Sequence, residues 1–282
     1  PCYGNGHGHP PAPGHWMTDG MRGLLDDFAG IRETAGGRTL AFSAECPVNE
    51  VFLQHLQVCD VRVIPPGHTS AWFGGAATWV PLYHYLYHEF VLMQGGFGNA
   101  PEPYHLPIRT AYNLVVGEIP GAVLQGDGAL LNRDTENWAP WRPRTGSDDD
   151  ALAMLAAATA LRRGPGRSWL TYGRMLAPAA LEGVEDERWQ HGGRDHVVPA
   201  VFHEAWQAPD GRPAVVLANW TTAPRRVTVH DGRLAGRCIL HVAVGTEVVA
   251  VAMAGDGAAI ELPPLSVALI EHREGGPSWH SS

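Results

Sequence analysis

The run Arg38-Thr39-Leu40-Ala41-Phe42-Ser43-Ala44-Glu45 has the length and apolar content of a buried strand and ends on a carboxylate, after which Cys46-Pro47 turns the chain away. A carboxyl at the C-terminal end of a parallel strand can be held partly desolvated and protonated. Glu45 therefore has the chemistry of a general acid, able to deliver a proton to a leaving glycosidic oxygen. Two plainer roles stay open for it: capping a helix that begins near Asn49, or lying in an exposed loop. Upstream, His7, His9, His15 and Trp16 stand in the Gly/Pro-rich segment Cys2-Tyr3-Gly4-Asn5-Gly6-His7-Gly8-His9-Pro10-Pro11-Ala12-Pro13-Gly14-His15-Trp16. Such a backbone holds neither a helix nor a central strand, so tertiary contacts or a ligand must order it. Imidazole nitrogens can bond sugar hydroxyls and an indole face can stack on a sugar ring, which makes this a candidate substrate-binding loop; ordinary loop packing is the alternative. A metal is not expected. Zinc sites need three or four ligands, and the chain contains neither H-E-x-x-H nor C-x-x-C.

Other carboxylates are candidates of lower rank. Asp60 follows an apolar stretch and reads either as a second site carboxylate or as a solvated turn residue. Glu50 falls in the first turn of a short helix, where the helix dipole favours it. Gly117-Glu118 follows a predicted helix at 109–116 and offers a barrel-mouth carboxylate. The run Asp148-Asp149-Asp150 behind Ser147 reads as helix capping before it reads as a metal site.

These residues need elements to carry them. Residues 17–34 show helical spacing, with Met21, Leu24, Leu25, Phe28 and Ile31 on one face, Thr18 or Asp19 as cap and Gly36-Gly37 as stop. The strand ending at Glu45, a short helix at 49–57, a strand at 78–87 with Tyr83, Tyr85 and Tyr87 alternating against His84 and Leu86, and helices at 109–116 and 148–163 complete an α/β portion. In the 148–163 helix the apolar face is built on Leu152, Leu155, Ala156 and Ala160. From about residue 195 the period becomes that of short strands, at 197–206, 214–219, 225–229, 238–244, 248–253, 258–262 and 266–272. Pro209-Asp210-Gly211, Asp231-Gly232 and Asp256-Gly257 punctuate them. Regular short strands of this kind predict an antiparallel sandwich, expected to have a structural role packing beside the barrel; sugar binding is the alternative, for which Trp206 and Trp220 are the aromatics to test.

Composition narrows the function classes. At 282 residues and 45% hydrophobic content the chain can bury one large core or two ordinary ones. A net charge of −9 without a basic stripe argues against nucleic acid as a partner. No apolar run is long enough to span a membrane. Cys2, Cys46, Cys59 and Cys238 are too few for a disulfide framework and read as buried thiols. Compartment and oligomeric state stay open.

The order His7-Gly8-His9-Pro10-Pro11, Gly14-His15-Trp16, an amphipathic helix, Ser43-Ala44-Glu45, Val80-Pro81-Leu82-Tyr83 and Gly117-Glu118 resembles the C-terminal half of bacterial glycoside-hydrolase-like barrel proteins. This is an uncharacterised family with a trailing β-sandwich, distantly similar to endo-α-N-acetylgalactosaminidases, and the similarity covers most of residues 1–270. The resemblance implies α/β plus all-β architecture, with the C-terminal portion of a (β/α)8 barrel at 1–190, a small antiparallel β-sandwich at 195–273 and a tail at 274–282. It implies Glu45 as general acid/base, with an acidic nucleophile on an earlier strand before the His-Gly-His-Pro loop, and no cofactor. Relatives commonly carry Gly where Cys46 stands here. The visible portion supplies about three or four of the eight strands a barrel needs, so the chain reads as a fragment of a glycoside hydrolase, inactive by itself. A non-catalytic carbohydrate-binding or cell-surface protein that retains a barrel-like fold, and a metal-dependent hydrolase built on the His loop, are the alternatives.

Overall fold

The protein is described by a computed structural model that places residues 4, 6–9, 14–34, 38, 40–45, 49–61, 80–95, 105–122, 130, 149–191 and 194–273. Cys2, Gly36-Gly37, Cys46, Thr78-Trp79, Ser147-Asp148 and the expected tail lie outside the described residues. Two compact units divide the chain, Pro1–Asp60 and Val61–Ser282.

In the first unit, helix α1 (Trp16–Thr34) forms where the apolar spacing predicts it. Its stripe is largely uncovered: Leu25 and Phe28 are half-buried while Met17, Met21, Leu24 and Ile31 are exposed. Periodicity marks a helix without saying what covers it. Phe28 stacks on Phe42, ring centres 5.7 Å apart, which ties α1 to the segment leading into strand β1 (Ser43–Glu45). A 3-10 turn at Glu50–His55 follows, capped by Asn49, whose side chain accepts from the Val51 amide at 2.9 Å. Strand β2 (Val58–Val61) then runs parallel to β1 with Ser43 opposite Val58, Ala44 opposite Cys59 and Glu45 opposite Asp60.

The second unit opens with a departure from expectation. The described part of the segment expected as a strand at 78–87 is helix α2 (Leu82–Tyr87), entered from Pro81. The alternating tyrosines suggested period two, but the packed pairs are four apart. Tyr83 meets Tyr87 with ring centres 4.9 Å apart, and His84 and His88 are both buried. Strand β3 (Leu92–Gly95) and helix α3 (His105–Val115) follow. Beyond α3 the chain returns alongside β3, with Gln94 bridged in parallel to Ile119.

Helix α4 (Asp149–Arg163) buries Ala151, Met154, Ala157, Ala158 and Leu161, a face about one position away from the expected one, and leaves Leu152 exposed. Small alanines let it lie close to its neighbours, so the residues that pack are not its largest. After the short helix α5 (Arg167–Leu170) come strands β4 (Arg174–Leu176), β5 (Ala180–Glu182), β6 (Asp186–His191), β7 (Arg194–Pro199), β8 (Val201–Gln207), β9 (Pro213–Asn219), β10 (Arg225–His230), β11 (Arg237–Val244), β12 (Glu247–Ala254), β13 (Ala258–Leu262) and β14 (Ser266–His272). The single strand expected at 197–206 is thus two, broken at Pro199-Ala200.

A six-stranded sheet has the order β12-β11-β14-β9-β8-β4, a three-stranded sheet the order β13-β10-β5, and β6 pairs with β7 as a hairpin. Val227, Val229, Ile260 and Leu262 of the smaller sheet share one core with Val201, Val215, Leu217, Ala268 and Ile270 of the larger. A second core lies on the other face of the large sheet, where Ile108, Leu114, Val115, Met154 and Leu161 of α3 and α4 meet Phe202, Trp206, Val216 and Leu269. Strand β12, at the sheet edge, exposes Val248, Val249 and Val251. No described helix is long and apolar enough to cross a membrane.

Candidate functional site

The first unit holds five of the residues expected at the site, in two groups, together with His15. The register of β1 and β2 sets Glu45 directly beside Asp60, each at or next to the C-terminal end of its strand. Directly opposed residues share a face, and parallel strands lie about 4.8 Å apart, so the two carboxylates project side by side. Glu45 is exposed and Asp60 half-buried. Ala44 and Cys59 occupy the other face, with Cys59 fully buried.

The second group is in the opening loop. His9 stacks on Trp16 with ring centres 3.7 Å apart and planes inclined by 16°, and its Nε2 lies 2.8 Å from the Nε2 of His7. Gly8 between them has φ +69°, a conformation that Gly adopts without the strain a side chain would bring. His15 is exposed at the entrance to α1, where its carbonyl accepts from the Asp19 amide at 2.8 Å.

Glu118 belongs to the second unit and is fully buried. Its Oε1 accepts from Nε2 of His84 at 2.8 Å. Burial, and secondarily the neighbouring His88, pushes His84 down to about 3, so a neutral imidazole donates to the carboxylate and the contact is not an ion pair. Arg109 and Arg162 are buried close by, each pushed down to about 10 by desolvation and drawn back up by Glu118. At that value both stay charged at neutral pH and compensate the buried carboxylate. Gly95 is required at the end of β3, because a Cβ there would overlap the side chains of Asn113 and Glu118.

His88 is buried beside this cluster. Its Nδ1 faces the Gly173 carbonyl at 2.8 Å and its Nε2 the Gly117 carbonyl at 3.0 Å. Two acceptor partners favour a doubly protonated ring and burial disfavours it; burial is the larger effect and holds His88 below the ordinary histidine range. Arg162 donates to the same Gly117 carbonyl at 2.8 Å. His84, His88, Arg109 and Arg162 were not singled out as site residues in the sequence. The i, i+4 spacing of His84 and His88 was the signal available.

Trp206 and Trp220, the aromatics of the alternative sugar-binding reading of the sandwich, are buried. Their indole N–H groups donate to the carbonyls of Val115 at 3.0 Å and Pro199 at 2.7 Å. Cys59 and Cys238 are both buried. No cluster of three or more metal-ligating side chains occurs among the described residues.

A family model described as a domain of unknown function, DUF6259, matches residues 1–98. No curated protein matches the chain. Solved structures similar to it include a GH51 arabinofuranosidase from Xanthomonas axonopodis pv. citri, at 12% identity and TM-score 0.35 over 88% of this chain and 62% of that one. A maltogenic alpha-amylase from Thermotoga neapolitana matches at 13% identity and TM-score 0.47 over 88% and 58%. A GH27 β-L-arabinopyranosidase from Geobacillus stearothermophilus matches at 11% identity and TM-score 0.38 over 92% and 55%. All three are glycoside hydrolases, and the chain spans between 55% and 62% of their lengths.

Proposed function

We propose that the protein acts on carbohydrate as part of a glycoside hydrolase, with Glu45 as general acid/base, Asp60 binding the sugar beside it, and His7, His9, His15 and Trp16 shaping the sugar subsite. The observation that carries this reading is the register that sets Glu45, the last residue of its strand, against Asp60, the last but one of the parallel neighbour. One carboxyl can then protonate the leaving oxygen while the other accepts hydrogen bonds from hydroxyls of the same ring. The indole of Trp16 supplies an apolar face for the sugar. Glu118 takes a positioning role inside the second unit, since its carboxylate is buried.

In the full-length protein, assayed on a panel of aryl glycosides, Glu45→Gln should lower turnover by about 10²–10⁴-fold with an unchanged circular dichroism spectrum. Near-normal activity of the variant would remove Glu45 from the mechanism.

A second reading, carbohydrate binding without turnover, is favoured by the exposure of Glu45, because an exposed carboxyl lacks the desolvation that a general acid uses. It predicts calorimetric binding of oligosaccharides that Trp16→Ala abolishes, with no hydrolysis of any glycoside in the panel.

A further inference from the structure

Phe42 stands one residue before β1, and Gln57 holds both of its main-chain polar groups. The Phe42 amide donates to Oε1 of Gln57 at 2.8 Å. The Phe42 carbonyl accepts from the Gln57 amide at 3.0 Å and from the Val58 amide at 3.4 Å. A side-chain oxygen thus does at Phe42 what a main-chain carbonyl does within a ladder. Nε2 of Gln57 lies 3.5 Å from the His55 carbonyl at the end of the 3-10 turn, which orients the amide with its oxygen toward Phe42. Gln57 is half-buried, so water competes less for these bonds than at an open surface. The Phe42 ring is held in turn by its stack on Phe28 of α1.

This clamp lies where the register of the two carboxylates is decided. Three directly opposed pairs join β1 to β2: Ser43 with Val58, Ala44 with Cys59 and Glu45 with Asp60. So short a ladder gives its own register little support. A slip of one residue turns Asp60 to the face opposite Glu45, and a slip of two sets the carboxylates about 6.6 Å out of step. Gln57 grips a single residue at both its N–H and its C=O, a fit that closes in one register only. From Phe42 and Gln57, three residues along each chain lead to Glu45 and Asp60. We propose that Gln57 is the positioning residue of the site, holding Glu45 and Asp60 side by side through its clamp on Phe42. Its effect on turnover rests on the glycosidase reading, whereas its effect on register does not.

The test compares Gln57→Ala and Gln57→Glu with the wild type in the full-length protein. Glu keeps an oxygen acceptor for the Phe42 amide, and Ala removes it. Hydrogen exchange at residues 42–45 should quicken about tenfold in Gln57→Ala and return to within about threefold of wild type in Gln57→Glu. On the aryl glycosides kcat/KM should fall about 10–100-fold in Gln57→Ala and recover in Gln57→Glu. In an Asp60→Asn background Gln57→Ala should cost less than about threefold, because the pair it positions is already broken; a merely structural contribution would add in full. Wild-type exchange rates in Gln57→Ala would overturn the proposal, as would a fully additive loss in the Asp60→Asn background. A wild-type protein that hydrolyses no glycoside would count against the glycosidase reading instead, and the exchange rates alone would then decide whether Gln57 sets the register.

Discussion

At the scale of single residues, three carboxylates that look alike in the sequence occupy three environments. Glu45 is exposed, Asp60 is half-buried beside it, and Glu118 is enclosed with His84 and two arginines. Removing the charge of Glu118 takes a counter-charge from the buried Arg109 and Arg162. Glu118→Ala should therefore cost about 3–5 kcal/mol in urea unfolding, and Glu118→Gln, which keeps an acceptor for His84, should cost less. A further buried group carries a pH dependence. Burial alone pushes Glu204, half-buried on β8, up to about 7. Because its folded value lies above its unfolded one, its contribution is fully present below about pH 4.5 and is lost as pH rises through 7. Glu204→Gln should raise stability at pH 8 by about 1–3 kcal/mol and change it little at pH 5, measured as thermal midpoints at both values. His84 works in the other direction. Its folded value of about 3 lies below the unfolded one, so stability falls as pH drops from about 6.5 toward 3.

At the scale of elements, most strands of the second unit were legible because each is a short apolar run between turn residues. Those at 258–262 and 266–272 agree with expectation at both ends. The strands β4, β5 and β6 were missed, being short or polar: Arg174-Met175-Leu176 and Asp186-Glu187-Arg188 carry no apolar run. Helix α2 was misread because Tyr83, Tyr85 and Tyr87 satisfy period two as well as Tyr83 and Tyr87 satisfy period four, and only the burial of His84 and His88 decides between them. At the site, the sequence located Glu45 at a strand end and grouped His7 and His9 with Trp16. It could not supply the register that sets Asp60 beside Glu45, because pairing of strands separated by a 3-10 turn depends on the length and path of that turn. Inserting one residue between Glu45 and Val58 should turn one carboxylate to the opposite face. Activity would then fall as far as in Glu45→Gln, with the same assay as the check.

At the scale of the molecule, the second unit is braced across the boundary that the sequence suggested near residue 195. Strand β4 pairs with β8 and β5 with β10, Trp206 donates to the Val115 carbonyl, and His88 packs edge-on against Trp206 with ring centres 4.6 Å apart. A chain cut to residues 195–273 lacks two of these strands and uncovers the face of the large sheet that α3 and α4 bury. It should bind a hydrophobic dye and unfold without a cooperative transition, whereas residues 80–273 should unfold cooperatively. Strand β12 leaves three valines uncovered at the sheet edge. Val249→Lys on that edge should reduce concentration-dependent association without lowering the thermal midpoint. The triple grip on Gly117, whose carbonyl receives both His88 and Arg162 and whose α-carbon has no room for a methyl group, has a consequence for ancestry. Genetic shuffling could not graft the sheets onto another set of helices without also carrying along the ones that end there, so the two have to be inherited as one piece.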